Sequence, residues 1–170
     1  MVIVGLSGKK RVGKDTIGAY LELAYGFKRV SLAHKLKSVA RELGWDGTKQ
    51  GKGRRFLQVL GTEVVRENNP NFWIDCLDKA IKDLNASKGI NRFVVTDIRY
   101  PNEAEWIKAL GGVMVRVYSS SEQSDDLHPS ETSLDKYSFD DYIESPRGNF
   151  NSLYYGVDEW ASRRGLECLS

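Results

Sequence analysis

The sequence predicts an α/β protein built on a five-stranded parallel β-sheet with helices on both faces. Two observations carry this prediction. Short apolar runs typical of buried strands alternate along the 170 residues with segments whose apolar residues recur at helical spacing. A glycine-rich loop also lies between the first strand and the first helix, at residues 8–16. Such alternation favours parallel strands, because each crossover between them needs room for a helix.

The glycine-rich loop is the first feature with a chemical meaning. Gly8 and Gly13 let the backbone turn so that several N–H groups point into one hollow, and a helix opening near Lys14 adds its positive end. The lysine adds a full positive charge. The loop therefore predicts a triphosphate site made by Gly8, Gly13, Lys14, Asp15 and Thr16. A glycine-rich turn capped by its Asp and Thr, with no ligand, is the alternative.

The loop departs from the pattern G-x-x-x-x-G-K-[ST] at its last position. Asp15 stands there instead of a hydroxyl, and Thr16 follows one residue later. A helix turns about 100° per residue, so Thr16 cannot simply replace the missing group. Mg²⁺ prefers oxygen ligands and keeps several waters, and we therefore expect Asp15 to hold it through a water.

The composition is that of one ordinary domain in a reducing compartment. The chain has a formal net charge of +2 and 41% apolar residues, which argues for a proper core and against a coat for polymeric nucleic acid. Cys76 and Cys168 lie far apart, without the spacing of a metal site. The apolar residues at the start fit a strand better than a signal peptide, and no apolar run is long enough to span a membrane. We expect a cytoplasmic protein with a single domain over residues 1–170.

The elements follow from the periodicity in chain order. A strand over residues 2–6 precedes a helix over 14–25, which Gly26 ends. The first half continues with a strand at 28–32, a helix at 33–43, a loop at 45–53, a helix at 54–66 interrupted at Gly61-Thr62, and a helix at 71–85. The second half reads as a strand at 92–98, a helix at 103–110, strands at 113–118 and 141–144, one or two helical turns at 130–136, and a helix at 151–164.

Charged residues follow the most apolar strand, at the sheet edge where ligands bind in open α/β folds. Asp97 ends that strand, at the place of a second acidic group for Mg²⁺. Arg99 and Glu103 come just beyond it, and Pro101 stiffens the turn between them. Two plainer interpretations stay open, in which Asp97 caps a turn and Arg99 is its ion partner.

A basic segment forms a second candidate phosphate site. Four cations lie within seven residues, namely Lys49, Lys52, Arg54 and Arg55. Paired guanidinium groups suit a phosphate, although such a run is equally typical of a solvated face. Gly61, Thr62 and Trp73 then supply a close backbone approach, a hydroxyl and a flat ring for a base and sugar, while Trp73 alone would more often belong to a core.

Residues 119–133 form a polar, lid-like region in this interpretation, and a plain surface linker is the alternative. His128 and Glu131 bring an imidazole and a carboxylate to its end. The favoured interpretation of His128-Pro129-Ser130-Glu131 is a helix start, with Ser130 as the cap and Glu131 in the first turn.

Three stretches in this order resemble the phage-type deoxynucleoside monophosphate kinases, a family with the P-loop NTPase fold of the nucleoside monophosphate kinases. They are Gly13-Lys14-Asp15-Thr16, the run Leu57-Gln58 to Glu63 with Arg66 and Trp73, and Asp97-Ile98-Arg99-Tyr100-Pro101-Asn102-Glu103-Ala104. The resemblance implies that ATP phosphorylates a deoxynucleoside monophosphate. It implies catalytic roles for Lys14, Asp15, Asp97 and Arg99, an Mg²⁺ site at Asp15, Thr16 and Asp97, and an acceptor site within residues 45–75 made by Arg54, Arg55, Gly61, Thr62 and Trp73, joined by Glu103.

The resemblance has two gaps. Val12 stands where such loops often carry a serine, and residues 119–129 contain no arginine for the usual lid role, which leaves only Arg116 and Arg147 as candidates. Two other functions remain open, a kinase for another phosphorylated acceptor such as dephospho-coenzyme A, and an ATPase or nucleotide-gated binding module. The partners expected are small nucleotides, neither polymeric nucleic acid nor a membrane, and the sequence leaves base preference and a homodimer undecided.

Overall fold

The predicted five-stranded parallel sheet is confirmed. A computed structural model describes residues 1–48, 50–120, 128–146 and 148–169. Its strands are β1 (Val2–Ser7), β2 (Lys28–Val30), β3 (Arg92–Val95), β4 (Val113–Tyr118) and β5 (Asp141–Glu144). They lie in the order β2-β3-β1-β4-β5, with β1 parallel to both β3 and β4 and β4 parallel to β5. The first strand is therefore the central one.

The connections between strands are helical. The helices are α1 (Lys14–Tyr25), α2 (Ala33–Glu42), α3 (Gly51–Gln58), a π-helix (Val59–Arg66), α4 (Phe72–Lys88), α5 (Pro101–Ala109), α6 (Pro129–Thr132) and α7 (Phe150–Arg163). None of them in the described part of the chain is long and apolar enough to cross a membrane. The chain divides into two compact units, one formed by Met1–Arg29 with Ile90–Ser170 and the other by Val30–Gly89.

In the first unit, alternate residues of β1 serve opposite faces of the sheet, as strand geometry requires. Val4 and Leu6 pack with Ile17 of α1 and Val157 of α7 in one large apolar cluster. Gly5, between them, faces the other way, where Met114 and Ile107 lie so close that a Cβ would meet the Met114 sulfur at 2.6 Å. Ile107 belongs to α5. Helices therefore cover both faces of the sheet. The parallel pairing of the strands places their carboxyl ends at the same edge.

In the second unit, a small core joins the helices. Ala40, Trp45 and Leu60 are buried together, and partly buried aliphatic side chains from α2, α3 and the π-helix pack around them. The predicted interruption at Gly61-Thr62 is the π-helix itself. The Gly61 carbonyl accepts a hydrogen bond of 3.0 Å from Nε1 of Trp73, a side chain only 3% exposed. π-Helical turns are frequently found at functional sites.

Several predicted boundaries shift, each for a local reason. Strand β3 stops at Val95 instead of residue 98, although Ile98 still donates its N–H to the Leu6 carbonyl at 3.1 Å. Helix α5 starts two residues early, because Pro101 occupies its first turn and Glu103 caps it. Helix α3 begins inside the predicted loop, at Gly51. Helix α1 and its Gly26 cap, with a left-handed φ of 67°, agree with prediction.

Candidate active site

The loop after β1 has a backbone that only glycine fits at two positions. Gly8 has φ 146°, and a Cβ there would lie 2.2 Å from the Val117 carbonyl oxygen. Gly13 caps α1 with φ 100°, and a Cβ there would lie 2.7 Å from Oγ of Ser145. Both positions combine a left-handed φ with a neighbour that leaves no space. The loop is thus pressed against the ends of β4 and β5.

Lys14 folds back over the loop. Its ammonium donates to the carbonyls of Gly8 at 2.6 Å and Lys9 at 2.7 Å, and the residue is buried. Burial, followed by the charge of Arg99, lowers the pKa of Lys14 to about 8. The carboxylates of Glu131, Asp15 and Asp97 oppose this shift of the pKa. The loop lysine and the charged groups after β3 therefore share one electrostatic environment.

The oxygen groups predicted for Mg²⁺ lie on two elements. Asp15 and Thr16 stand in the first turn of α1, where Asp15 is exposed and Thr16 half-buried. Asp97 follows β3 and is half-buried. Within the described ranges, no three carboxylate, imidazole or thiol groups are close enough to form a metal cage. This donor set fits Mg²⁺, which is commonly bound through one or two carboxylates together with substrate phosphates and waters.

Arg99 pairs with Glu131. Its Nη1 contacts the Glu131 Oε1 and also donates to the Ser130 carbonyl at 2.8 Å. The Glu131 side chain is 1% exposed, and its other oxygen accepts the Lys10 backbone N–H at 3.1 Å. The segment after residue 127 is thereby attached to the phosphate loop.

Asp135 makes a second attachment. Its carboxylate accepts hydrogen bonds of 2.8 Å from the Lys9 ammonium, which also donates to the Glu131 carbonyl at 2.7 Å. Arg116, within β4, reaches the same carboxylate at 3.3 Å and lies over the Phe139 ring. Arg116, one candidate for the missing lid cation, therefore shares the Asp135 carboxylate with Lys9 of the phosphate loop.

Glu103 has a structural role in the turn that it follows. The residue is 2% exposed, and its Oε2 accepts the backbone N–H groups of Arg99 at 2.7 Å and Tyr100 at 3.1 Å. These bonds complete a capping box at the start of α5. Glu103 thus orients the backbone that carries Arg99, and its contact with an acceptor stays a prediction.

The other predicted acceptor residues lie in the second unit. Arg55 forms an ion pair of 2.8 Å with Glu63, with both side chains largely exposed, while Arg54 is half-buried. Thr62 is half-buried beside the buried Gly61 in the π-helix. Trp73 is buried and binds the Gly61 carbonyl through its Nε1. That contact makes Trp73 a support for the Gly61-Thr62 backbone.

Some predictions fall outside the described residues. These are Lys49 in the basic segment, Arg147 as a lid candidate, and residues 121–127 of the lid-like region.

The predicted helix start at residues 130–131 is confirmed as α6, but the predicted cap residue, Ser130, is wrong. His128 is the N-cap residue, and its Nδ1 accepts from the Ser130 N–H at 3.2 Å. Sequence reasoning also missed Glu131 as the partner of Arg99, because nothing local links residues so far apart.

The fold and the loop first define a class of protein. A parallel sheet of this strand order, with a glycine loop before α1 and a buried lysine as the first residue of α1, is that of a P-loop kinase. A solved sugar kinase from Janibacter sp. HTCC2649 shares the fold, with a TM-score of 0.54, 11% identity and coverage of 97% of this chain and 94% of the other.

The sequence comparisons then identify the family. The family model described as deoxynucleotide monophosphate kinase matches residues 41–156. A mimivirus protein (Acanthamoeba polyphaga mimivirus) named for the same kinase class is 33% identical over 160 residues, which cover 79% of this chain and 82% of that protein. The deoxynucleotide monophosphate kinase of Escherichia phage RB69 is 29% identical over 62% of this chain, and the match spans only 43% of the phage protein. The chain belongs to the deoxynucleotide monophosphate kinase family, which confirms the predicted class of enzyme.

Proposed function

We propose that the chain transfers the terminal phosphoryl group of ATP to a deoxynucleoside monophosphate, releasing ADP and the deoxynucleoside diphosphate. The observation that carries this proposal is the loop between Gly8 and Thr16, with its buried lysine at the start of a helix. Backbone N–H groups and a helix terminus attract phosphate, and a lysine adds charge at the same place. Membership of the family supplies the acceptor class.

The ATP side of the site consists of Gly8, Gly13, Lys14, Asp15 and Thr16. The Lys14 ammonium donates to two loop carbonyls, so its N–H groups already point toward the loop. A bound triphosphate would accept hydrogen bonds from this ammonium. Phosphoryl transfer depends on positioning and charge neutralisation more than on covalent chemistry. Lys14 and Arg99 supply positive charge where negative charge accumulates on the transferred group.

Asp15, Thr16 and Asp97 are the residues that would hold Mg²⁺. Their oxygens suit a hard cation, and their number leaves room for phosphate and water ligands. The bound ion would neutralise charge on the phosphates. Asp15 stands where related loops carry a hydroxyl, so we assign it a contact through water.

The acceptor side comprises Arg54, Arg55, Gly61, Thr62, Trp73 and Glu103. The guanidinium groups of Arg54 and Arg55 suit the acceptor phosphate, since each presents several donors in a planar fork. Arg55 would exchange its exposed ion pair with Glu63 for that phosphate. Trp73 and Glu103 support the neighbouring backbone by hydrogen bonds and do not need to touch the ligand.

Small nucleotides are the expected partners, and we propose a cytoplasmic site of action. Cys76 and Cys168 are free thiols, which suits a reducing compartment. Sedimentation of the purified chain, with and without ATP, decides between a monomer and the homodimer that the sequence leaves open.

The test of the function is a panel of four deoxynucleoside and four ribonucleoside monophosphates, each assayed with ATP and Mg²⁺. A sugar pocket closed at C2′ leaves a ribose hydroxyl unpaired, at a cost of about 1–3 kcal/mol. We therefore expect at least one deoxynucleotide to react roughly ten- to a hundredfold faster than its ribonucleotide. Equal rates would indicate a general monophosphate kinase, and ADP release without a nucleotide product would indicate an ATPase.

A further inference from the structure

Glu131 is a buried carboxylate to which the proposed reaction gives no role. Its side chain is 1% exposed, yet it lies beside a loop suited to a polyanion. An ionised carboxylate in such a place is costly unless it is paired and hydrogen-bonded. Here the partners are the Arg99 guanidinium and the Lys10 backbone N–H. The carboxylate and the guanidinium together carry no net charge, so the pair does not repel phosphate.

The two oxygens of Glu131 bind different parts of the first unit. Oε1 contacts Arg99, in the turn after β3, while Oε2 accepts from Lys10, inside the phosphate loop. A single side chain therefore joins the turn to the loop. The Lys9 ammonium strengthens this attachment, because it donates to the Glu131 carbonyl oxygen.

The contact also fixes which part of Arg99 can meet a ligand. Both side-chain contacts, to Glu131 and to the Ser130 carbonyl, use the Nη1 nitrogen. These two contacts do not use Nη2 or Nε. Because an arginine has five N–H donors in a rigid plane, the contacts leave the donors on those two nitrogens for a ligand. Glu131 contacts both the Arg99 guanidinium and the Lys10 backbone N–H, so the guanidinium lies near the phosphate loop. In agreement, Arg99 is one of the charges that lower the pKa of Lys14.

We propose that Glu131 is a positioning residue for phosphoryl transfer, which holds the Arg99 guanidinium against the phosphate loop with its far edge directed to the transferred group. This inference rests on the proposed function. A displacement of about 1 Å of a catalytic group can lower a rate by about 10²-fold. Glu131 would thus act through Arg99 on the rate, without touching substrate.

The first experiment compares Glu131→Gln with the parent and with Glu159→Gln, an exposed position on α7. The glutamine keeps the shape of the side chain and loses its charge. We expect kcat to fall about 10- to 100-fold, while ATP binding measured by calorimetry is unchanged or tighter, because a negative charge near the phosphates is gone. Glu159→Gln should match the parent. A parallel loss of ATP affinity and thermal stability would mean that Glu131 only supports the fold.

The second experiment repeats Glu131→Gln in an Arg99→Met background. If Glu131 works through Arg99, the second substitution should change kcat by less than about threefold, because its target is absent. The same fold-loss in both backgrounds would overturn the inference. Should Glu131→Gln fail to fold, Arg99→Lys provides the test, since an ammonium cannot bind Glu131, Ser130 and a phosphate as a planar fork does. That variant should then lose kcat with ATP affinity retained, and a parent-like kcat would overturn the inference.

A failure of the proposed function and a failure of the positioning role give different results. A parent that forms no diphosphate from any deoxynucleotide overturns the proposed function. If the parent is active and the double variant loses kcat by the product of the two single fold-losses, the proposed function stands and the positioning role of Glu131 is overturned.

Discussion

Lys14 combines a buried ammonium with a pKa close to physiological pH. Its pKa is lowered from 10.5 to about 8, chiefly by burial and then by Arg99. A base with a lowered folded-state pKa binds fewer protons than in the unfolded chain over that interval. Stability arising from this group therefore rises with pH between about 8 and 10.5, whereas the charge needed for phosphate is lost from the folded protein as pH rises through about 8.

The first prediction concerns the pH dependence of ATP binding. The affinity of the free protein for ATP should fall as pH rises through about 8, approaching tenfold per unit where Lys14 is mostly neutral. Calorimetric titrations at a series of pH values measure this. Lys14→Met should bind ATP weakly at neutral pH and lack the decline above pH 8. An unchanged decline in that variant would assign it to another group.

The second prediction concerns Gly8. An alanine there must displace the backbone, because the Val117 carbonyl oxygen lies 2.2 Å from the Cβ position and φ is 146°. We expect a stability loss of about 1–3 kcal/mol and loss of ATP binding. Gly156→Ala is the matched control, since Gly156 lies within α7 with nothing within 4 Å of the added atom. It should stabilise by about 0.5–1 kcal/mol with unchanged activity. Denaturant unfolding and ATP titration distinguish these outcomes.

At the level of elements, the π-helix receives a hydrogen bond from a side chain outside it, that of Trp73. Trp73→Phe removes the N–H that binds the Gly61 carbonyl and leaves that carbonyl without this partner. The cost should be about 1–3 kcal/mol. The acceptor KM should rise while the ATP KM stays constant, as steady-state kinetics can show. Trp160→Phe, which loses a comparable bond of 2.9 Å to Asp141 in the first unit, should lower stability alone. A parent-like acceptor KM in Trp73→Phe would separate the π-helix from the acceptor site.

The fourth prediction concerns the paired arginines of α3. Replacement of Arg54 and Arg55 by alanine should raise the acceptor KM strongly and leave the ATP KM nearly unchanged, because we assign the lost guanidinium groups to the acceptor phosphate alone. The control is the double substitution Lys79→Ala and Lys82→Ala on α4, which removes the same charge from exposed positions. A raised ATP KM with an unchanged acceptor KM would instead make the arginines donor-site residues. No change in either KM would mean that they belong to a solvated face.

The sequence predicted elements best where local chemistry decides them. Helix α1 begins at Lys14 and ends at Gly26 because glycines at both ends adopt a left-handed φ. The π-helix was visible only as an interruption, since the bond that accompanies it comes from Trp73. The pairing of Arg99 with Glu131 had no local signature at all, because it joins a turn after β3 to a helix far along the chain. Tertiary contacts of this kind are absent from periodicity.

At the level of the whole molecule, the sheet and the phosphate loop belong to one unit and the predicted arginine pair to the other. The family match at residues 41–156 includes most of the second unit but begins after the phosphate loop. The loop assignment therefore rests on the geometry of Gly8, Gly13 and Lys14 rather than on that match. The two lines of evidence are independent and indicate the same class of enzyme.

The central position of β1 has a consequence for how the chain reaches its native state. Strand β1 is synthesised first, but its neighbours begin only at Arg92 and Val113. Parallel pairing over such a separation is slow, because a long loop must close before any contact forms. Val30–Gly89, by contrast, is continuous in sequence, so its contacts close shorter loops than those of β1. The strand that precedes the phosphate loop is thus among the last to find its partners, with its edges open to aggregation in the interval.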